Sequence, residues 1–123
     1  MAKLNVESAV IGWLPDKIED KADWPISGDK PETLPDNYIL VDRTNGPRES
    51  MALDQAEILI EVYSKNSRND ASEKANEIAD IIPNIKIDVE NITRAKVNSV
   101  VHLDDTVTKY HRYQVYCDIF ARR

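Results

Sequence analysis

The chain is short of the residues from which most site chemistry is built. A single cysteine, Cys117, rules out an internal disulfide and is compatible with a reducing cytoplasm. Three glycines, Gly12, Gly28 and Gly46, are too few and too scattered for a dinucleotide fingerprint or a Walker-type phosphate loop. No apolar run approaches the length that crosses a bilayer. Met1 to Leu14 is interrupted by Asn5, Glu7 and Ser8 where an export signal needs unbroken apolar residues, so a soluble chain not exported by that route is expected. The sequon Asn91-Ile92-Thr93 then has no glycosylation context. Positive charge is also scarce: 16 Lys and Arg face 22 Asp and Glu, a net charge of -6, which opposes binding to a phosphate backbone. Arg43 with Arg48, Lys109 with Arg112, and Arg122 with Arg123 are isolated pairs without interleaved aromatics, unlike a single-strand-binding stripe.

What is present reads as one domain spanning 1–123, large enough to bury a core without staples. Val6, Ala9, Val10, Trp13 and Leu14 fall on one helical face, predicting a helix over Asn5 to Leu14 that Pro15 ends. Residues 16–37 turn polar, carry Pro25, Pro31 and Pro35, and predict a long surface loop pinned by Trp24 and Ile26. Asn37 to Thr44 and Gln55 to Ser64 read as strands of a long-looped hairpin whose tip holds Asn45, Gly46, Pro47, Arg48 and Glu49. Ala71, Ala75, Ile78, Ala79 and Ile82 predict a second helix, capped by Ser67 or Asn69 and stopped at Pro83-Asn84. Ile85, Ile87 and Val89 alternate as in a short strand or extended connection. Strands over Ala95 to Leu103 and Lys109 to Ala121 follow, joined by a turn at Asp104-Asp105. The fold expected is α+β: an antiparallel or mixed four-stranded sheet with two helices packed on one face.

One face of that sheet is then left without a helix. On the last strand Tyr113, Val115, Cys117 and Ile119 alternate toward the core, while Gln114, Tyr116, Asp118, Phe120 and Arg122 alternate away from it. On the strand before the second helix, Ile58, Ile60 and Val62 point one way and Glu57, Leu59, Glu61 and Tyr63 the other. Any one exposed aromatic needs no explanation. Two aromatics with an arginine match the composition of interface centres and predict self-association.

Candidate chemistry is thin. His102, Asp104, Asp105 and His111 lie on consecutive strands around one turn, and carboxylate with imidazole suits a divalent metal, but no metal-binding spacing frames them and the aspartates read as turn formers. Cys117 falls on the core side of its strand, where a thiol acts as a small hydrophobe. Glu73, Lys74, Glu77 and Asp80 read as the solvated back of the second helix. No catalytic residue, metal or cofactor is expected.

The order of the motifs carries a resemblance. Pro35-x-x-Tyr38-Ile39-Leu40-Val41-Asp42-Arg43 runs into Thr44-Asn45-Gly46-Pro47, then Ile58-Leu59-Ile60-Glu61-Val62-Tyr63. The alanine-faced helix Ala71 to Ile82 follows, then His111-Arg112-Tyr113 leading to Ala121-Arg122-Arg123. This resembles the tail terminator and head-tail joining (neck) proteins of long-tailed phages and prophages, across nearly the whole chain beyond the Pro-rich loop. The resemblance implies a structural protein without enzymatic activity. It would form a ring, usually a hexamer, that caps the tail tube, ends tube polymerisation and joins tail to head. The implied partners are further copies of the chain, the tail tube protein and a head-tail connector protein, with DNA only passing through the lumen and no membrane. The implied locations are the virion and, during assembly, the host cytoplasm. On this reading Arg43, Asn45, Gly46, Pro47, Arg48 and Glu49 at the hairpin tip, and Gln114, Tyr116, Asp118, Phe120 and Arg122 on the last strand, contact the neighbouring copy or the tube. Arg43 and Arg48 would pair with carboxylates of the next copy or within their own chain. Alternatives are a head-tail adaptor or stopper, a metal-dependent hydrolase using His102, His111 and Asp104, and a dimeric binding module with a groove under the 16–37 loop around Trp24.

Overall fold

Each long helix begins where a short polar side chain replaces a missing backbone partner. In the computed structural model, which describes residues 5–45 and 53–122, Asn5 caps α1 (Val6–Trp13) by accepting from the Ser8 N–H at 3.1 Å. Ser67 caps α2 (Arg68–Ile81) by accepting from the Asp70 N–H at 3.0 Å. Proline sets the far ends: Pro15 and Pro83 sit in 3₁₀ turns, Leu14–Asp16 and Ile82–Asn84, that follow the two helices.

The strands are β1 (Ile26–Ser27), β2 (Asn37–Asn45), β3 (Leu53–Ser64), β4 (Ile92–His102) and β5 (His111–Arg122). They form one mixed sheet in the order β1-β2-β3-β5-β4, with β1 parallel to β2 and every other neighbour antiparallel. β3 and β5, each with a buried apolar side, lie inside the sheet, and β4, with its exposed Arg94 and Lys96, lies at the edge where charge is tolerated.

The fold is α+β, with one strand more than the sequence predicts. The addition, β1, lies within the 16–37 loop; two residues are too few to show alternation, and parallel pairing with Ile39 and Leu40 holds it in place. A second correction concerns Ile85, Ile87 and Val89, which belong to a single helical turn, α3 (Ile85–Asp88), and its C-cap rather than to an extended segment. Residues two apart point to opposite sides of a helix. Ile85 is accordingly buried and Ile87 is 74% exposed.

Both long helices pack on the same face of the sheet. Val6, Val10 and Trp13 of α1 and Ala71, Ala75 and Ile78 of α2 join Ile39, Val41, Ile58, Ile60, Val62, Val115, Cys117 and Ile119 in one core. Alanine at 71 and 75 lets the α2 backbone close on the strands. Ile18 and Trp24, from the Pro-rich loop, complete the core. At its margin the Asp88 carboxylate accepts from Trp13 Nε1 at 2.9 Å and lies 2.9 Å from Lys17 Nζ, and these two donors hold it below the usual carboxylate range.

The connection from β4 to β5 is a capped turn. Asp105 Oδ1 accepts from the N–H groups of Val107 at 3.0 Å and Thr108 at 3.4 Å, and Asp105 N–H donates to the Tyr110 carbonyl at 3.0 Å. Closing the turn puts Lys109 at φ 63°, a left-handed conformation that a side chain with Cβ adopts at a cost. Lys109 is exposed, so Lys109→Gly is expected to raise stability by about 0.5–1 kcal/mol. Urea unfolding checks this, and a loss of stability would show that the lysine side chain contributes to the turn. No helix among the described residues is long and apolar enough to cross a membrane.

Candidate interaction surface

With both helices on one side, the other face of the sheet is built from alternate residues of four strands. The register lines them up in rows: Gln55, Phe120 and Arg94; Glu57, Asp118 and Lys96; Asp42, Leu59, Tyr116 and Ser99; Leu40, Glu61, Gln114 and Val101. Tyr116 and Phe120 stand on this open face and are half-buried, outside the core formed with the helices. The Phe120 ring lies 5.8 Å from the Arg94 guanidinium carbon, close enough for a cation–π contact.

Polar side chains knit the middle of the face. Tyr116 Oη donates to Gln114 Oε1 at 3.2 Å, Gln114 Nε2 donates to Glu61 Oε2 at 3.0 Å, and Arg112 Nη1 pairs with the same Glu61 oxygen at 3.4 Å. Gln114 is thereby buried within its own subunit. Asp118 accepts from Asn98 Nδ2 at 3.0 Å, and Arg122 is exposed at the strand end. Arg43 is half-buried and its Nη2 donates to the Gln55 carbonyl at 3.3 Å. Asn45 is the last residue of β2, opposite Glu57. Gly46, Pro47, Arg48 and Glu49 lie outside the described residues.

One end of the open face is closed by a feature the sequence reading misses. Tyr38 and Tyr63, opposite each other on β2 and β3, stack at 4.4 Å between ring centroids, and Tyr110 meets both rings edge-on at 5.5 and 6.3 Å. Tyr110 Oη donates to the Pro35 carbonyl at 2.8 Å, tying the β4–β5 turn to the Pro-rich loop. All three rings are buried. The Tyr38 hydroxyl is buried without a hydrogen-bond partner among the described residues, and burial pushes its ionisation well above the usual tyrosine range. Tyr63 therefore belongs to the outward alternation, as read from the sequence, but is covered. The signal available was a tyrosine directly preceding β5.

The histidines do come together. His102 Nε2 lies 2.6 Å from Asp104 Oδ1, and His111 Nδ1 lies 3.7 Å from the same oxygen. His102 also stacks on Tyr113 at 4.7 Å. Among the described residues no group of three His, Cys, Asp or Glu side chains is arranged to hold a metal ion. Cys117 is buried, its Sγ 3.5 Å from the Ile58 carbonyl, and burial pushes the thiol up to about 12, so at neutral pH it is not a nucleophile.

Lys74 requires a correction. It is not on a solvated back of α2 but buried, because the segment from Glu19 to Trp24 folds across the helix. Its Nζ donates to the Glu19 carbonyl at 2.7 Å and to Glu77 Oε1 at 2.6 Å, and lies 5.5 Å from the Trp24 ring centre. A cleft of about 250 Å³ opens beside it, lined by Asp20, Asp23, Asp70 and Glu73 among others. It lies where the groove under the 16–37 loop was expected, and its walls are chiefly acidic. Set against protein-family models and against curated protein sequences, the chain matches none of either.

Proposed function

We propose that the chain is a structural subunit of a phage or prophage tail. In this reading copies of it form a ring, usually hexameric, that caps the tail tube, ends polymerisation of the tube protein and offers a surface to the head-tail connector. The subunit catalyses nothing and holds no cofactor. It acts in the virion after assembling in the host cytoplasm, and DNA passes its lumen without binding.

The observation that supports this reading best is the helix-free face, where Leu59, Tyr116 and Phe120 are half-buried between charged side chains. Apolar rings set among arginine and carboxylates are the composition of a surface made to be covered. Arg43 and Asn45 at the end of β2, the residues Gly46, Pro47, Arg48 and Glu49 that follow them in sequence, and the row Gln114, Tyr116, Asp118, Phe120 and Arg122 are the proposed contacts with a neighbouring copy or the tube. The net charge of -6 favours passage of DNA over its retention.

Electron microscopy of the purified protein mixed with tail tube subunits tests the reading. Tubes capped at one end and limited in length are the expected result. Binding to the portal side instead would assign the chain to the adaptors or stoppers of the neck. Tubes growing as they do without the protein would overturn the terminator assignment.

A further inference from the structure

The sheet has two open edges, and they differ in character. At one edge, β4 pairs only with β5 among the described residues. Its first half is guarded in the ways that natural edges are guarded: register shifts fall between Ile92 and Arg94 and between Val97 and Ser99, and Arg94 and Lys96 are exposed. Its second half is not. From Ser99 to His102 the pairing is regular, and no acidic or basic chain interrupts Val100 and Val101, 36% and 40% exposed, with Leu103 just beyond at 52%. An unguarded apolar edge of this kind is a template for another strand.

At the other edge, β1 pairs with only Ile39 and Leu40 of β2, so among the described residues Asp42 to Asn45 carry no further strand. The alternation of directions makes β4 antiparallel to both β1 and β2. A second copy placed beside the first, in the same orientation, therefore presents its β1–β2 edge to β4 as an antiparallel neighbour. The rows of the sheet set the ends. Lys96 shares a row with Glu57 and Asp118 at the end where β2 carries Asp42 to Asn45, while Val100 and Val101 lie toward the end occupied by β1. Asp42 and Lys96 are both exposed, both on the open face, and neither has an ion-pair partner among the described residues.

We infer that copies of this chain join head to tail through these edges, the Ser99–Leu103 segment of one beside β1 of the next, with Lys96 facing Asp42 across the junction. The occupant is a second copy because the opposite charge that answers the basic edge lies on the chain's own far edge. Pairing of β4 with β4 would offer Lys96 no acidic partner on the neighbouring edge. A junction between two different edges propagates, and closes into a ring when the rotation between copies allows. The edges are not the whole contact: the Tyr116 and Phe120 face remains for a further contact with a neighbouring copy or with the tube. The inference rests on the self-assembly part of the proposed function and not on the tail as its destination.

Charge exchange tests the junction in the full chain, read by sedimentation velocity over a concentration series, with circular dichroism to confirm the fold. Lys96→Glu and Asp42→Lys should each weaken self-association by about tenfold or more, and the double exchange should return it to near the starting value. Val101→Lys, a charge set into the unguarded half, should abolish it. A starting protein that stays monomeric throughout, an Asp42→Lys variant that assembles normally, or a double variant that is not rescued would each overturn the inference. Tube capping distinguishes the two claims: a chain that assembles by its edges yet leaves tubes uncapped sinks only the tail reading, and one that caps tubes regardless of the charge exchange sinks only the edges.

Discussion

Tyr38→Ala is expected to cost about 3–5 kcal/mol, a large share of the roughly 5–15 kcal/mol that holds a domain of this kind together. Tyr38 is fully buried although no helix covers its face of the sheet, because Tyr63 stacks on it and Tyr110 closes over both. Removing the ring leaves a cavity beneath Tyr63 and Tyr110, and aromatic contacts add about 0.5–1.5 kcal/mol each beyond the buried area. Tyr38→Phe separates ring from hydroxyl. The Tyr38 oxygen is buried without a hydrogen-bond partner among the described residues, so losing it should leave stability unchanged or raise it by about 1 kcal/mol. Urea unfolding of both variants gives the contrast, and a phenylalanine variant as unstable as the alanine one would show that the hydroxyl is the important group.

The second large effect is on assembly. Tyr116→Ala combined with Phe120→Ala should weaken assembly by about a hundredfold or more while leaving a folded monomer, since aromatic anchors at interface centres commonly contribute over 2 kcal/mol each. Both rings are half-buried on the open face and outside the helix-packed core, so the fold should tolerate their loss better than that of Tyr38. Light scattering reads the oligomer and a thermal melt reads the fold. An unchanged oligomer would remove this face from the assembly surface.

Periodicity carried most of the architecture. The alanine stripe located α2, whose cap is Ser67, one of the two residues the sequence offers, and strict alternation assigned Val115, Cys117 and Ile119 to the core and Tyr116 and Phe120 away from it. It failed where the period is uninformative. Two residues of β1 cannot alternate, and Ile85 with Ile87 imitates a strand although the chain leaves the Pro83 turn already coiled. Contacts made by loops were also illegible, because they depend on where a distant segment comes to rest. Lys74 reads as a surface lysine until the stretch around Glu19 crosses it, and Tyr63 reads as an exposed ring until Tyr110 covers it. The open face itself was visible, but not the network from Tyr116 to Arg112 that withdraws Gln114 from solvent.

The burial of Cys117 gives the protein a silent reporter. A maleimide added to the native chain finds no accessible sulfur, so a cysteine engineered at any surface position can be labelled selectively with the natural one left in place. When labelling of the native residue does occur, its rate measures how often the centre of the sheet breathes apart.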